Sequence, residues 1–373
     1  MIGIVSLFAD FTYEGSRSIV GPYLAQLGAS GTAVGIIAGL GELLGYGLRM
    51  LSGRISDKTG YFWPITILGY VVQMFAVPLL ALAGSWQVAA LLIVAERIGK
   101  ATRNPPRNTM LSQAGKEIGY GWVFGLHEAL DQTGALLGPL AVAVILAKQG
   151  HYQTAFAMLL APAILTIVLV LIARWIYPAP GIVEKHDTEA QGKKYPRAFW
   201  IYLIGAALVA AGFPDFSLMS FHFEKADALP DMWIPIFYSI SMATGGIGSL
   251  VFGKLFDRMG IVILVPLTLV TAIFVPLVFL GGFWAALAGS MLWGLGMGVH
   301  ESIIPAAVST MVPVARRASA YGVFSAAYGI SWFIGSAIIG WLYDMSIPAL
   351  VGFSVAAELL AIPFFLMMAK RKA

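Results

Sequence analysis

Two carboxylates and a guanidinium, Asp10, Glu14 and Arg17, interrupt the first long apolar run of the chain in the stretch ADFTYEGSR, residues 9–17. On a helix turning ~100° per residue they fall at about 0°, 40° and −20°, one stripe along ~10 Å of rise. Such a stripe supports two kinds of chemistry. Either the carboxylates take up and release protons, modulated by the guanidinium beside them, or the opposite charges close on one another as fixed pairs. Further ionisable residues stand in apolar surroundings downstream: Glu96 and Arg97, then His127, Glu128 and Asp131 in HEALD, then Asp215, and the adjacent His300 and Glu301. No metal centre is expected from them. His300 and Glu301 diverge by ~100° on a regular helix, no His-x-x-x-His or Glu-x-x-His spacing occurs, and the chain has no cysteine.

What must position these residues is a bundle of membrane helices. The chain is 59% hydrophobic and 11% charged, against roughly 25% charged residues in an average soluble domain. Apolar stretches of about 20 residues, the length a helix needs to cross a ~30 Å hydrocarbon layer, recur along nearly all of it. They run continuously apolar, as at 262–280, without the alternation of a barrel strand. Nothing basic precedes the first run, which reads as a retained helix and not as a cleavable signal peptide. Twelve spans are expected between residues 2 and 369, with one sizeable polar connection, PAPGIVEKHDTEAQGKKYP at 178–196. The expected fold class is an all-α membrane protein of twelve transmembrane helices in two pseudo-symmetric six-helix bundles, 1–177 and 197–373.

Placing the even-numbered connections and the C-terminus on one side gathers most of the 23 lysines and arginines there, Arg103 and Arg107 among them, and leaves Lys148 and Lys225 opposite. By the positive-inside rule that side is cytoplasmic, with both termini on it, in a cell (inner) membrane. The net charge of +4 reflects this orientation. Scattered in short loops, the basic residues form no nucleic-acid-binding face.

The chain also repeats itself. GRISDKTG at 53–60 returns as GKLFDRMG at 253–260, matching Gly53, Asp57 and Gly60 with Gly253, Asp257 and Gly260, with basic residues including Lys58 and Arg258 at equivalent places. A fainter echo relates FGLHEALDQTGALLG (124–138) to YGVFSAAYGISWFIG (321–335), pairing Gly138 with Gly335. Gly-x-x-x-Asp-basic-x-Gly in the loop between spans 2 and 3, and again between 8 and 9, resembles the signature loop of the major facilitator superfamily, and the six-plus-six repeat agrees over the whole chain. Arg97 in ERIGKATRNPPR resembles the membrane arginine of proton-coupled members. Gly134, Gly138 and Pro139 resemble the Gly-x-x-x-Gly-Pro motif of antiporters and exporters, though Leu-Ala-Val follows where glycines are usual.

The resemblance implies a secondary transporter, not an enzyme, working by alternating access. It implies a small-molecule substrate and protons as partners in the bilayer, no cofactor and a monomer. Helices 1, 4, 7 and 10 then face a central cavity. Asp10, Glu14, Asp215 and Glu301 set against Arg17 and Arg97 leave a surplus of acid, which suits proton coupling and the export of a small cationic or amphiphilic compound. The runner-up is an uptake symporter in which Arg17 and Arg97 grip an anion. Asp57, Lys58, Asp257 and Arg258, with Gly53 and Gly253, are expected to gate the cytoplasmic side. Asp131 shares a face with Gly134 and Gly138 and serves either as an interhelical partner or as a proton carrier. Glu42 and Glu358 are expected to be structural, because those family positions lie away from the cavity.

Overall fold

A computed structural model describes residues 1–118, 120–178, 195–309, 311–312 and 317–369. Among them every regular element is helical. The first half holds α1 (Ile2–Gln26), α2 (Gly31–Thr59), α3 (Phe62–Leu79), α4 (Trp86–Ile118), α5 (Tyr120–Gln149), α6 (Tyr152–Met158) and α7 (Leu160–Ile176). The second holds α8 (Arg197–Gly212), α9 (Phe216–Lys225), α10 (Trp233–Met259), α11 (Leu264–Ala272), α12 (Phe274–Leu280), α13 (Phe283–Gly298), α14 (Ile304–Ser309), α15 (Arg317–Met345) and α16 (Ile347–Ala369), with a π-helical turn at Val299–Ile303. By contacts the chain divides into two units that exchange short segments: Met1–Ala29, Leu40–Lys185 and Phe223–Ser239 form the first, and Ser30–Gly39, His186–His222 and Ile240–Ala373 the second.

Eight helices among the described residues are long and apolar enough to cross a membrane. Large apolar side chains point outward from several of them, with Trp175 84%, Leu82 80% and Leu250 72% exposed, an arrangement suited to lipid and costly in water. The long charge-bearing helices α1 and α4 are not among the eight. Helix α4 is longer than its apolar run: it continues through Arg103, Pro105, Pro106 and Arg107 to Ile118. Arg103 and Arg107, assigned from sequence to a cytoplasmic connection, are buried inside it.

The internal repeat has local causes. Gly60 and Gly260, the closing residues of the two octapeptides, sit at φ +70° and +63°, a conformation that lets the chain turn at the ends of α2 and α10 at no Cβ penalty. The fainter echo marks a second shared device. A methyl on Gly138 would run into the Phe11 carbonyl of α1, and one on Gly335 into the Ala211 carbonyl of α8. In each unit, therefore, a glycine brings the fifth expected span against the backbone of the first. Gly134 does the same one turn earlier, against Leu7. The first unit's core is built from Val5, Ala9, Trp63, Tyr70, Met74, Met110 and Val170. The second is aromatic at its centre, where Phe213, Trp293 and Trp332 pack together.

Candidate functional site

The α1 stripe meets a second stripe on α4. Residues Glu96, Lys100, Arg103 and Arg107 follow at intervals of four, three and four, which is the same helical face. The two helices run past one another in opposite directions, so successive turns pair. Arg107 Nη1 donates to Ser6 Oγ at 2.9 Å. Arg103 Nη2 lies 3.6 Å from Asp10 Oδ1, Lys100 Nζ 3.9 Å from Glu14 Oε1, and Arg97 bonds the Tyr13 hydroxyl. Glu14 also accepts a hydrogen bond from Tyr238 of α10, and Lys100 Nζ stands 3.5 Å above the Tyr13 ring.

Helix α2 adds Glu42, whose Oε1 is 3.3 Å from Arg97 Nη1 and 3.8 Å from Arg17 Nη2. Helix α3 adds Gln73, which donates to Glu96 at 3.1 Å and accepts from Arg103. Tyr70 accepts from Arg103 at 3.1 Å. Burial of these groups is deep: Arg103 is 0%, Glu96 6%, Arg17 7% and Glu14 8% exposed. Charges so far from water persist only where paired and hydrogen-bonded, and here each has an opposite charge within 4 Å.

The acid surplus expected from the sequence counts Asp215 and Glu301 as well; within the first unit the charges balance differently. In the first unit Asp10, Glu14, Glu42 and Glu96 stand against Arg17, Arg97, Lys100, Arg103 and Arg107, so acid is not in surplus there. Glu42, expected to be structural, bridges two arginines. Lys100, Arg103 and Arg107 read in the sequence as charges of a cytoplasmic connection. Their spacing of three and four was the available signal.

The remaining expected residues are dispersed. His127 and Asp131 form a pair at 3.5 Å on α5, while Glu128 is exposed and bonded by Gln132 at 3.0 Å. In the second unit Asp215 lies in the break between α8 and α9 that Pro214 enforces. Its Oδ1 accepts from the Ser217 N–H at 2.8 Å, and the freed Pro214 carbonyl accepts from Trp293 Nε1 at 3.0 Å. His300 is buried, with its Nδ1 2.6 Å from the Tyr328 hydroxyl and its ring centroid 4.3 Å from that of Phe213. The side chain of Glu301 lies outside the described residues. Asp57, Lys58, Asp257 and Arg258 are exposed at the ends of α2 and α10. Among the described residues no three His, Asp or Glu converge on a metal-binding geometry.

Comparison with known proteins agrees with this architecture. The family model described as Major Facilitator Superfamily matches residues 2–336. An uncharacterized protein of Mycobacterium tuberculosis (strain ATCC 25618 / H37Rv) is 40% identical over 369 residues, covering 97% of this chain and 90% of its own. The multidrug resistance protein MdtH of Proteus mirabilis is 26% identical over 151 residues, 40% of this chain and 36% of its own. The crystal structure of the nucleoside transporter NupG superposes with a TM-score of 0.76 at 15% identity, covering 98% of this chain and 98% of that one, a likeness of fold alone.

Proposed function

We propose, since the chain belongs to the major facilitator superfamily and is thus a multi-pass membrane transporter of small molecules rather than an enzyme, that it moves its substrate outward in exchange for protons. One observation carries this reading: the ionisable ladder between α1 and α4, in which Glu14 is shared between Lys100 and the Tyr238 hydroxyl. A buried carboxylate with one cationic and one neutral partner has two low-energy states. In the proposed cycle the Lys100 contact favours the charged carboxylate and withdrawal of the lysine favours the neutral acid. A conformational change that lengthens the Glu14–Lys100 contact therefore binds a proton, and one that restores it releases the proton.

The wider frame of the proposal is twelve spans in two halves, 1–177 and 197–373, joined by 178–196 and rocking in alternation. Gly53, Asp57 and Lys58, with Gly253, Asp257 and Arg258, act at the cytoplasmic gate. Both termini face the cytoplasm of the inner membrane, and the protein acts as a monomer. The exposed Arg54, Lys58, Lys254 and Arg258 at the ends of α2 and α10 favour that orientation independently of the buried α4 arginines. Export is favoured by the partial likeness to a multidrug resistance protein. The first-unit cluster offers no surplus of acid to draw a cation, so the substrate class proposed is a small amphiphilic compound. An uptake symporter gripping an anion is less well supported, because Arg17 and Arg97 are already engaged by Glu42 and Tyr13.

The test is a thermal-shift screen of amphiphilic compounds at two pH values, where specific binders stabilise by mass action, followed by efflux of the hits from proteoliposomes. Efflux that stops when a protonophore collapses the pH gradient supports the coupling. Efflux that continues unchanged refutes it.

A further inference from the structure

Glu358 is the one carboxylate of α16, and it is 0% exposed. Its surroundings in the second unit contain no cation among the described residues. Helices α11 and α12 and the turn at 260–263 carry no titratable side chain. From α8 come Arg197, exposed at the start of the helix, and Tyr202, whose hydroxyl donates to the Ile304 carbonyl at 2.7 Å. Among the described side chains of α15, Tyr328 bonds His300, Tyr343 bonds His222, Asp344 bonds the start of α2, and Tyr321 neighbours Tyr202. The carboxyl-bearing side chain packs against Gly212 beside the α8–α9 break, and no ion pair reaches it among the described residues.

The hydrogen bonds around it form a proton inventory. Thr271 Oγ1 lies 3.1 Å from Glu358 Oε2 and 3.2 Å from the Thr268 carbonyl oxygen. A hydroxyl has one proton to give. With Glu358 ionised, the hydroxyl donates to the carboxylate while the Thr268 carbonyl keeps the N–H of Ala272 in α11, and the buried charge has no cation to offset it; with Glu358 protonated, its O–H donates to Thr271 Oγ1, which in turn donates to Thr268. The second arrangement avoids an uncompensated buried charge beside a Glu358 Oε1 that has no hydrogen-bond partner among the described residues. Thr268 and Thr271 also line a small cavity of about 10 Å³ shared with His300, room for about one water.

We propose that Glu358 is a proton-binding site of the second unit, a neutral carboxylic acid that exchanges its proton with that cavity through the Thr271 hydroxyl. In the exchange the Glu358 O–H proton passes to Thr271 Oγ1 as the hydroxyl's own proton leaves to a water in the cavity, and the reverse transfer restores the acid. The site extends the proton-coupled reading above by a second carboxyl distant in sequence from Glu14.

Infrared spectra of the purified protein in H2O and D2O test it without a substrate. The expected result is a carboxylic-acid C=O band that moves in D2O while the protein stays folded, is missing in Glu358→Gln, and shifts in frequency in Thr271→Val. A Glu358→Gln spectrum identical to wild type in that region overturns the proposal, because Glu358 is then ionised. A band that ignores D2O overturns it too, since the acid is then sealed off. Thr271→Val carries the test if Glu358→Gln fails to fold: an unmoved band overturns the link through the hydroxyl. These outcomes are independent of whether transport follows the pH gradient, so either reading can fail without the other.

Discussion

Arg103 shows how much of the site rests on a single side chain. It has no exposure and holds Asp10, Gln73 and Tyr70 together. Removing one partner of a buried ion pair costs about 3–5 kcal/mol, because the other charge is left uncompensated. Arg103→Ala should therefore lower the melting temperature of the detergent-purified protein sharply, and Asp10→Ala added to it should recover part of the loss. A double variant as unstable as the sum of two independent lesions contradicts the pairing. The α1 half of this ladder was legible in the sequence, since charges at 10, 14 and 17 share a face on any helix. Its α4 half obeys the same rule at 96, 100, 103 and 107, yet the density of basic residues there reads as charge on the cytoplasmic side. Tertiary burial kept the helix going. Glu42 and Tyr238 were illegible for a different reason: nothing local in a sequence says which distant helix a side chain meets.

Close helix contacts govern the next scale. Gly138 and Gly335 occupy equivalent places in α5 and α15, each against a carbonyl of the first helix of its half. A Val at either site forces the backbones apart and should destabilise by about 1–3 kcal/mol or more, seen as loss of monodisperse protein in size-exclusion chromatography. Ala at the exposed Gly282, beside which the structure leaves open space, should be tolerated. At the start of α2, Asp344 accepts from the Gly31 and Thr32 N–H groups at 2.8 and 2.7 Å and from the Thr32 hydroxyl at 2.6 Å. A carboxylate there satisfies orphan donors and complements the helix dipole, so Asp344→Ala should cost about 1 kcal/mol, read as a lowered melting temperature. An unchanged melting temperature would show that water replaces the cap without loss. The octapeptide glycines and the α5 small-residue motif were readable because each is a backbone requirement written in residue type. In the sequence the break at 213–215 is marked only by Pro214, whose missing N–H loosens a helix. That Asp215 caps α9, its Oδ1 accepting from the Ser217 N–H, is a local geometry that a proline alone does not specify.

Across the whole molecule the same devices appear twice, a positive-φ glycine closing α2 and α10 and a glycine contact joining the first and fifth expected spans of each half, while the ionisable ladder belongs to the first unit alone among the described residues. Duplication thus accounts for the scaffold, and departure from it marks where the chemistry differs. If Glu14 carries the coupled proton, a gradient of about one pH unit sustains up to about tenfold accumulation per proton exchanged, ~1.4 kcal/mol. The most direct measurement is accumulation of a screened amphiphilic substrate in proteoliposomes under an imposed pH gradient, compared between wild type and Glu14→Gln, with exchange at equal pH as the control. Gradient-driven accumulation should vanish in the variant while equal-pH exchange persists. Accumulation in Glu14→Gln that follows the gradient as in wild type would contradict the coupling role of the α1–α4 cluster.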